Sequence, residues 1–413
     1  MAWIETALVA ARPQTVAALL RYFRDLDIAE EAFQEAGLRA IERWPVNGPP
    51  RDHAAWLIMV GRNFAIDSVR HNRRNQPLPA DEHISNLDDA ETAIVERIDN
   101  SQYRDDILRL MFICCHPHLP ATQQIALALR LVSGLSVREI ARAFLVTEAA
   151  MEQRITRAKR RVAAAAVPFE APGAVERSER LGAVAAMLYL VFNEGYSATG
   201  GDTGEHHLRL SLCDEAIRLT RMVLRLFPSE PEVMGLLALQ LLQHARATTR
   251  LDTNGGIVLL GDQDRTQWNK EMIAEGLAMV DKAMQRRCPG PYQLQAAIAA
   301  MHAHAERAAD TNWDEIERLY AALEQLQPSP VITLNRAVAL SKVQGAAIAL
   351  KMLEPLAEPL ANYFHFYGVK GALHQQLGQL GEARAAFDRA ISLARTTAEA
   401  AHIRDHLDRL AVA

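Results

Sequence analysis

Between Gln153 and Arg161 the chain sets Gln153, Arg154, Arg157, Arg160 and Arg161, with Lys159 among them, within about three helical turns. Groups of these types at this spacing do the chemistry of polyanion recognition: guanidinium forks pair with phosphate oxygens, and arginine or glutamine reads base edges through bidentate hydrogen bonds. From Ser136 to Val162 seven Lys or Arg face three Glu, a local net of +4 in a chain of formal net charge -5. A charge run is ordinarily a solvated helix face, so its meaning rests on the elements that carry it.

Those elements are two short helices. Val137, Ile140, Ala141 and Phe144 recur at i, i+3, i+4 and i+7, and after a break at Leu145-Val146 the apolar positions resume at Met151, Ile155, Ala158 and Val162. Thr147 stands where an N-cap belongs, with Glu148 in the first turn, where an acid suits the helix dipole. The pattern predicts a helix-turn-helix. Its second helix is suited to a major groove, early residues toward base edges and later ones toward phosphates.

The chain has 413 residues, 49% hydrophobic and 23% charged, the composition of a globular protein of two to four domains. Cys114, Cys115, Cys213 and Cys288 are too few and too scattered for a disulfide framework. No run of about 18 apolar residues and no basic-then-apolar N-terminus occurs, so a cytosolic protein without membrane contact is expected.

The first unit shows three apolar stripes: Val16, Leu19, Leu20 and Phe23; Ala32, Phe33, Ala36 and Ile41; Trp56, Val60, Phe64, Ile66 and Val69. They predict three helices. Between the second and third, Trp44 to His53 contains three prolines and a glycine and predicts a loop. The third ends in Arg70-His71-Asn72-Arg73-Arg74, a cluster suited to phosphates. From Ala80 to Asp106 nine acidic residues stand against two arginines, the composition of a flexible linker. Two more helices follow between Ile107 and Leu131. They are broken at Cys115-His116-Pro117-His118-Leu119-Pro120, which lacks the separated pairs of a zinc site.

These motifs together resemble the extracytoplasmic-function sigma factors of bacterial RNA polymerase. Ile28 to Ala36 resembles the family's region 2 helix that docks on polymerase, Ala55 to Arg70 its promoter-melting helix, and Ser136 to Arg161 its region 4. Ala150 and Glu152 depart from the family's more usual threonine and basic residue. The resemblance implies polymerase contacts from Glu30, Glu31, Gln34 and Glu35, and contacts to an upstream duplex element from Thr147, Ala149, Ala150, Gln153, Arg154, Arg157 and Arg160. It implies contacts to the melted strand from Asn47, Arg51, His53, Trp56, Arg62, Asn63, Asp67, Arg70, Arg73 and Arg74. Its partners would be core polymerase and promoter DNA, with no cofactor. A rival reading, a one-component helix-turn-helix regulator with a repeat sensor, has no use for the Trp56 helix and its loop.

Past Val162, Arg180 to Asn193 and Leu208 to Phe227 are helical in pattern, with a loop predicted over Asn193-Glu194-Gly195-Tyr196 and Gly200-Gly201-Asp202. Ala303, Ala337 and Gly371 are spaced by 34, as are Glu315, Ala349 and Ala383, then Leu319, Leu353 and Phe387, then Ala322, Leu356 and Ala390. That period predicts a tetratricopeptide-like helical solenoid. The stretch Leu251 to Arg265 breaks the helical pattern; its Asp and Asn spacing lacks the closing glutamate of a calcium loop, and a structural insertion against the solenoid is expected. Asn-Glu-Gly-Tyr together with this insertion resembles the extension carried by one branch of the same family. His206, His207, Asp262 and Asp264 are the tail's only candidates for catalysis and form no catalytic constellation, so the chain is expected not to be an enzyme. The expected organisation is all-α: region 2 over 1-76, an acidic linker over 77-104, region 4 over 105-167, a helical extension with the insertion over 168-290, and repeats over 291-413. A concave solenoid binds protein segments, so an intramolecular contact between tail and sigma unit is expected, either restraining or supporting activity.

Overall fold

The computed structural model describes residues 2-72, 100-116, 118-144, 146-164, 174-196, 203-252, 255-394 and 396-412. Arg73, Arg74, most of the acidic linker and Gly200-Gly201-Asp202 lie outside them, as do the side chains of Asp67, Arg70, His206 and His207. The described residues form eighteen α-helices and no strand beyond one isolated bridge, Leu251 to Ile257. No helix among them is long and apolar enough to cross a membrane. The chain divides into two compact units, residues 1-190 and 191-413.

In the first unit α1 (Ala2-Phe23), α2 (Leu26-Asn47) and α3 (His53-Asn72) pack pairwise. Asp25 caps α2 by accepting from the amides of Asp27 and Ile28. The structure corrects three expectations here. The predicted loop is shorter, because α2 runs through Trp44-Pro45-Val46-Asn47 before Gly48 ends it at φ 81°. A proline in the last turn removes only one helix bond, and the Gly48 amide still reaches Trp44 O at 3.0 Å. The buried face of α3 is Leu57, Gly61 and Ala65, one position over from the predicted Trp56, Val60 and Phe64 stripe. Gly61 decides this: a Cβ there would stand 2.8 Å from Ala32 O, so α3 approaches the α2 backbone at the glycine and its large residues move to the margin. Ile41, assigned to the α2 stripe, is likewise exposed.

The same unit continues with α4 (Asn100-Cys114), α5 (Ala121-Ala128), a π-turn over Leu129-Ser133, α6 (Val137-Ala143) and α7 (Glu148-Ala164). Asp106, counted with the acidic linker, is instead a buried helical residue paired with Arg21 at 3.2 Å and Arg109 at 3.2 Å. Cys114 and Cys115 are buried beside each other, and burial pushes the Cys114 thiol up.

The helix α8 (Ala174-Tyr196) runs into the second unit and includes the predicted Asn193 to Tyr196 loop as its last turn. The buried side of that turn, Phe192 and Gly195, overrides the local Asn and Gly signal. After α9 (Thr203-Leu226), α10 (Pro231-His244) is buried without interruption from Val233 to Leu242. It packs on α11 (Lys270-Met284) and α12 (Pro291-His304). The insertion between α10 and α11 is anchored by Trp268, whose Nε1 donates to Thr249 Oγ1 at 3.0 Å.

The remaining helices are α13 (Trp313-Leu326), α14 (Pro330-Gln344), α15 (Ala346-Leu353), α16 (Phe364-Gln376), α17 (Leu380-Leu393) and α18 (Thr397-Val412). Between the pairs α14/α15 and α16/α17 the 34-residue spacing holds in both helices, which start at Pro330 and Phe364 and at Ala346 and Leu380. Ala337, Ala349, Leu353, Ala383, Phe387 and Ala390 are all buried as that spacing requires. A Cβ on Gly371 would stand 2.5 Å from the Phe387 ring, which is why no larger residue fits there. The α12/α13 pair is out of register. Ile316 and Leu323 fill the buried positions of α13, each 33 residues before Ala349 and Leu356, leaving Glu315 part-exposed. The 34-residue alignment through Glu315, Leu319 and Ala322 is therefore one residue off.

Candidate nucleic-acid interface

The helix-turn-helix is built by local chemistry. Ser136 and Glu139 form a reciprocal capping box at the start of α6, and hydrogen bonds from Ser136 hold the Glu139 carboxyl below its usual range. Thr147 Oγ1 accepts from the Ala150 amide at 3.2 Å and starts α7. Met151, Ile155, Ala158 and Val162 are buried, so the opposite face of α7 is obliged to meet solvent. Thr147, Ala149, Ala150, Gln153, Arg157 and Arg160 are exposed there, and Arg154 is half-buried with its guanidinium 5.9 Å from the Phe144 ring. Gln153 accepts from Arg157 at 3.1 Å on this exposed face.

Lys159 departs from the outward face assigned to it. Its Nζ lies 2.6 Å from Asp27 and 2.8 Å from Glu30, both on α2. Burial lowers the Lys159 pKa, but the hydrogen bonds and charges of these two carboxylates outweigh it and the net shift is upward. Glu30 also receives Arg130 at 2.7 Å and Arg12 at 3.3 Å, and is 5% exposed. Arg12 in turn donates to Leu131 O and Arg130 O at the π-turn and lies 4.7 Å from the Phe33 ring. Burial pushes the Arg12 guanidinium down to about 10, with Glu30 opposing and Arg130 adding to the fall.

Of the four acidic-face residues assigned to polymerase, Glu30 is thus not on the surface: it is the hub of a buried ionic cluster joining α2 to α7. Glu31 and Gln34 are exposed, and Glu35 is part-exposed in an i,i+4 pair with Arg39. Arg12 and Arg130 had no local sequence signal, since their charges are matched only across the fold.

Of the residues assigned to the melted strand, His53 and Trp56 pack on Trp44, which is 2% exposed. Trp56 packs edge-on at 5.5 Å, His53 tilts at 5.1 Å, and Trp3 stacks at 6.2 Å. Trp56 and His53 keep part of their rings in solvent, and Asn47, Arg51 and Asn63 are exposed nearby in sequence. Arg62 lies over the Tyr22 ring at 4.5 Å and donates to its hydroxyl at 3.3 Å. Trp3, Tyr22 and Trp44 escaped the sequence reading; three tryptophans at helix ends were the available sign.

Against known proteins, residues 8-75 match Sigma-70 region 2 and residues 109-162 match Sigma-70, region 4. Residues 180-284 match a family of unknown function (DUF6596). An uncharacterized protein of Rhizobium meliloti (strain 1021) is 65% identical over 409 residues, covering 99% of this chain and 96% of its own. The two sigma regions imply core RNA polymerase and promoter DNA as partners in transcription initiation. With regions 2 and 4 in order, a helix-turn-helix carrying an open arginine face, and more than two hundred residues beyond them, the chain belongs to the sigma-70 family as a sigma factor of the extracytoplasmic-function type with a C-terminal extension.

Proposed function

We propose that the chain reads an upstream duplex element with Gln153, Arg154 and neighbouring residues of α7, and holds the melted strand on the Trp56, His53 and Arg62 face of the first three helices. The observation that carries this reading is α7 itself: a basic face left in solvent above a fully buried apolar stripe. Half-exposed aromatic rings beside arginines support the second part, because stacking and cation contacts hold single-stranded bases without chemistry. Polymerase would meet α2 through Glu31, Gln34 and Glu35.

Run-off transcription with core polymerase tests the reading. Arg154→Ala is expected to shift promoter preference by about 1-3 kcal/mol at one base position, whereas Arg160→Ala weakens all promoters alike and flattens the salt dependence. Identical sequence profiles for the two variants would remove the assigned orientation of α7.

The tail, in our reading, is a tetratricopeptide-like solenoid that regulates or supports the sigma unit through an intramolecular contact. Helix pairs recurring at 34 residues support the solenoid, and tethering at millimolar effective concentration favours a contact within the chain. Cross-linking mass spectrometry on dilute full-length protein checks it. An absence of links between residues before 162 and residues after 291 counts against the contact.

A further inference from the structure

In the second unit, three arginines lie near one another with no carboxylate among the described residues in an ion pair with any of them, Asp310 acting on Arg265 only from beyond pairing distance. Arg250 lies 3.8 Å from the centre of the Tyr196 ring and Arg246 5.9 Å from it. Arg265, at the end of the insertion, lies 4.8 Å from the Trp268 ring. Backbone carbonyls hold two of them: Arg250 Nη1 donates to Tyr196 O at 2.5 Å, and Arg265 Nη1 donates to Ala305 O at 2.7 Å and to His302 O. Carboxylates of the same unit are committed elsewhere, Asp214 to His244, Glu275 to Arg221, Glu215 to Arg218 and Asp310 to Arg307. Among the described residues none forms an ion pair with Arg246, Arg250 or Arg265.

The surroundings are also short of partners. Tyr196 Oη, His244 Nδ1 and Arg265 Nε are buried with no hydrogen-bond partner among the described residues. Buried polar atoms left in that state cost about 1-3 kcal/mol each, and like charges at close range add repulsion. Burial first, with the charge of Arg246, lowers both the Arg250 and Arg265 guanidinium pKa values, Tyr196 opposing the fall at Arg250 and Asp310 at Arg265. Yet each of the three side chains keeps part of its surface in solvent, open to a ligand.

We propose that Arg246 and Arg250, over the Tyr196 ring, form with the neighbouring Arg265 a binding site for the phosphate group of a small molecule. Three cationic forks converging on one place match a compact anion carrying near two charges and three acceptor oxygens. A lone carboxylate supplies one charge, and a DNA phosphodiester one per group. The site draws together the Asn193 to Tyr196 turn and both ends of the Leu251 to Arg265 insertion, two features that promoter recognition leaves unused. It does not depend on the promoter reading, because it lies wholly within residues 191-413.

Calorimetric titration and thermal unfolding of the full chain test it, with inorganic phosphate and pyrophosphate as probes at constant ionic strength, and with chloride and an oligoglutamate peptide as comparisons. Saturable phosphate or pyrophosphate binding is expected in the native chain, weakened about 10-fold or more by Arg246→Gln, the loss of one charge-assisted contact. Without phosphate, Arg246→Gln is expected to melt higher than the native chain, since it relieves repulsion; a merely structural arginine would melt lower. Arg246→Lys, which keeps the charge and loses the fork, serves if the first variant does not fold, and is expected to bind phosphate more weakly than the native chain. No binding of either probe, binding undiminished in Arg246→Gln or, where that variant does not fold, in Arg246→Lys, a lower melting point for folded Arg246→Gln, or tighter binding of oligoglutamate would each overturn the proposal.

Discussion

Glu30→Gln is expected to destabilise the first unit by about 3-5 kcal/mol, the loss seen when one partner of a buried charged cluster is removed. The side chain is 5% exposed and accepts from Arg12, Arg130 and Lys159 at 3.3, 2.7 and 2.8 Å. Glutamine has nearly the same shape, so packing is kept while three cations lose their shared counter-charge, Asp27 remaining near Lys159 alone. Breaking the pair differs from replacing it: an apolar exchange of the whole cluster would cost far less. Urea unfolding of the full chain measures the effect, with Glu31→Gln as an exposed comparison expected within about 0.5 kcal/mol of the native chain. A loss under about 1 kcal/mol for Glu30→Gln would mean that α2 and α7 are not joined as described.

Acidification is expected to weaken the second unit through His302. Burial first, then the charges of Arg246 and Arg265, push its imidazole down to about 4. In the unfolded chain the same group titrates near 6.5, so between pH 6.5 and 4 the unfolded state binds more protons and stability rises with pH. The contribution is full above about pH 6.5 and is lost as pH falls toward 4, a change of about 3 kcal/mol. His365, His402 and His406 are lowered too, chiefly by burial, and act in the same direction. Unfolding free energies across this window check the effect: His302→Gln should flatten the slope and leave the remainder to the other three. An unchanged slope would place His302 in solvent.

What the amino-acid sequence determined alone was local. The α7 stripe Met151, Ile155, Ala158 and Val162 and the Thr147 cap depend on residues three or four apart, and the structure keeps both. Helix period and capping chemistry are short-range, so they are legible one segment at a time. So was the 34-residue repeat of the later helix pairs.

Tertiary structure decided whatever required two distant segments to meet. Glu30 reads as a solvated face residue until Lys159, 129 positions away, and Arg130 arrive beside it. Which stripe of α3 is buried was settled by the approach of its backbone at Gly61 to Ala32, since apolar pattern alone allows either neighbouring face. In the first repeat, Ile316 and Leu323 turn inward one position away from the 34-residue alignment, an offset visible only once α13 is packed. Arg250 meets Tyr196 from 54 residues along the chain and Arg265 meets His302 from 37, and no local pattern announces those contacts. Charge and burial are properties of a neighbourhood, and the neighbourhood exists only once the chain has folded.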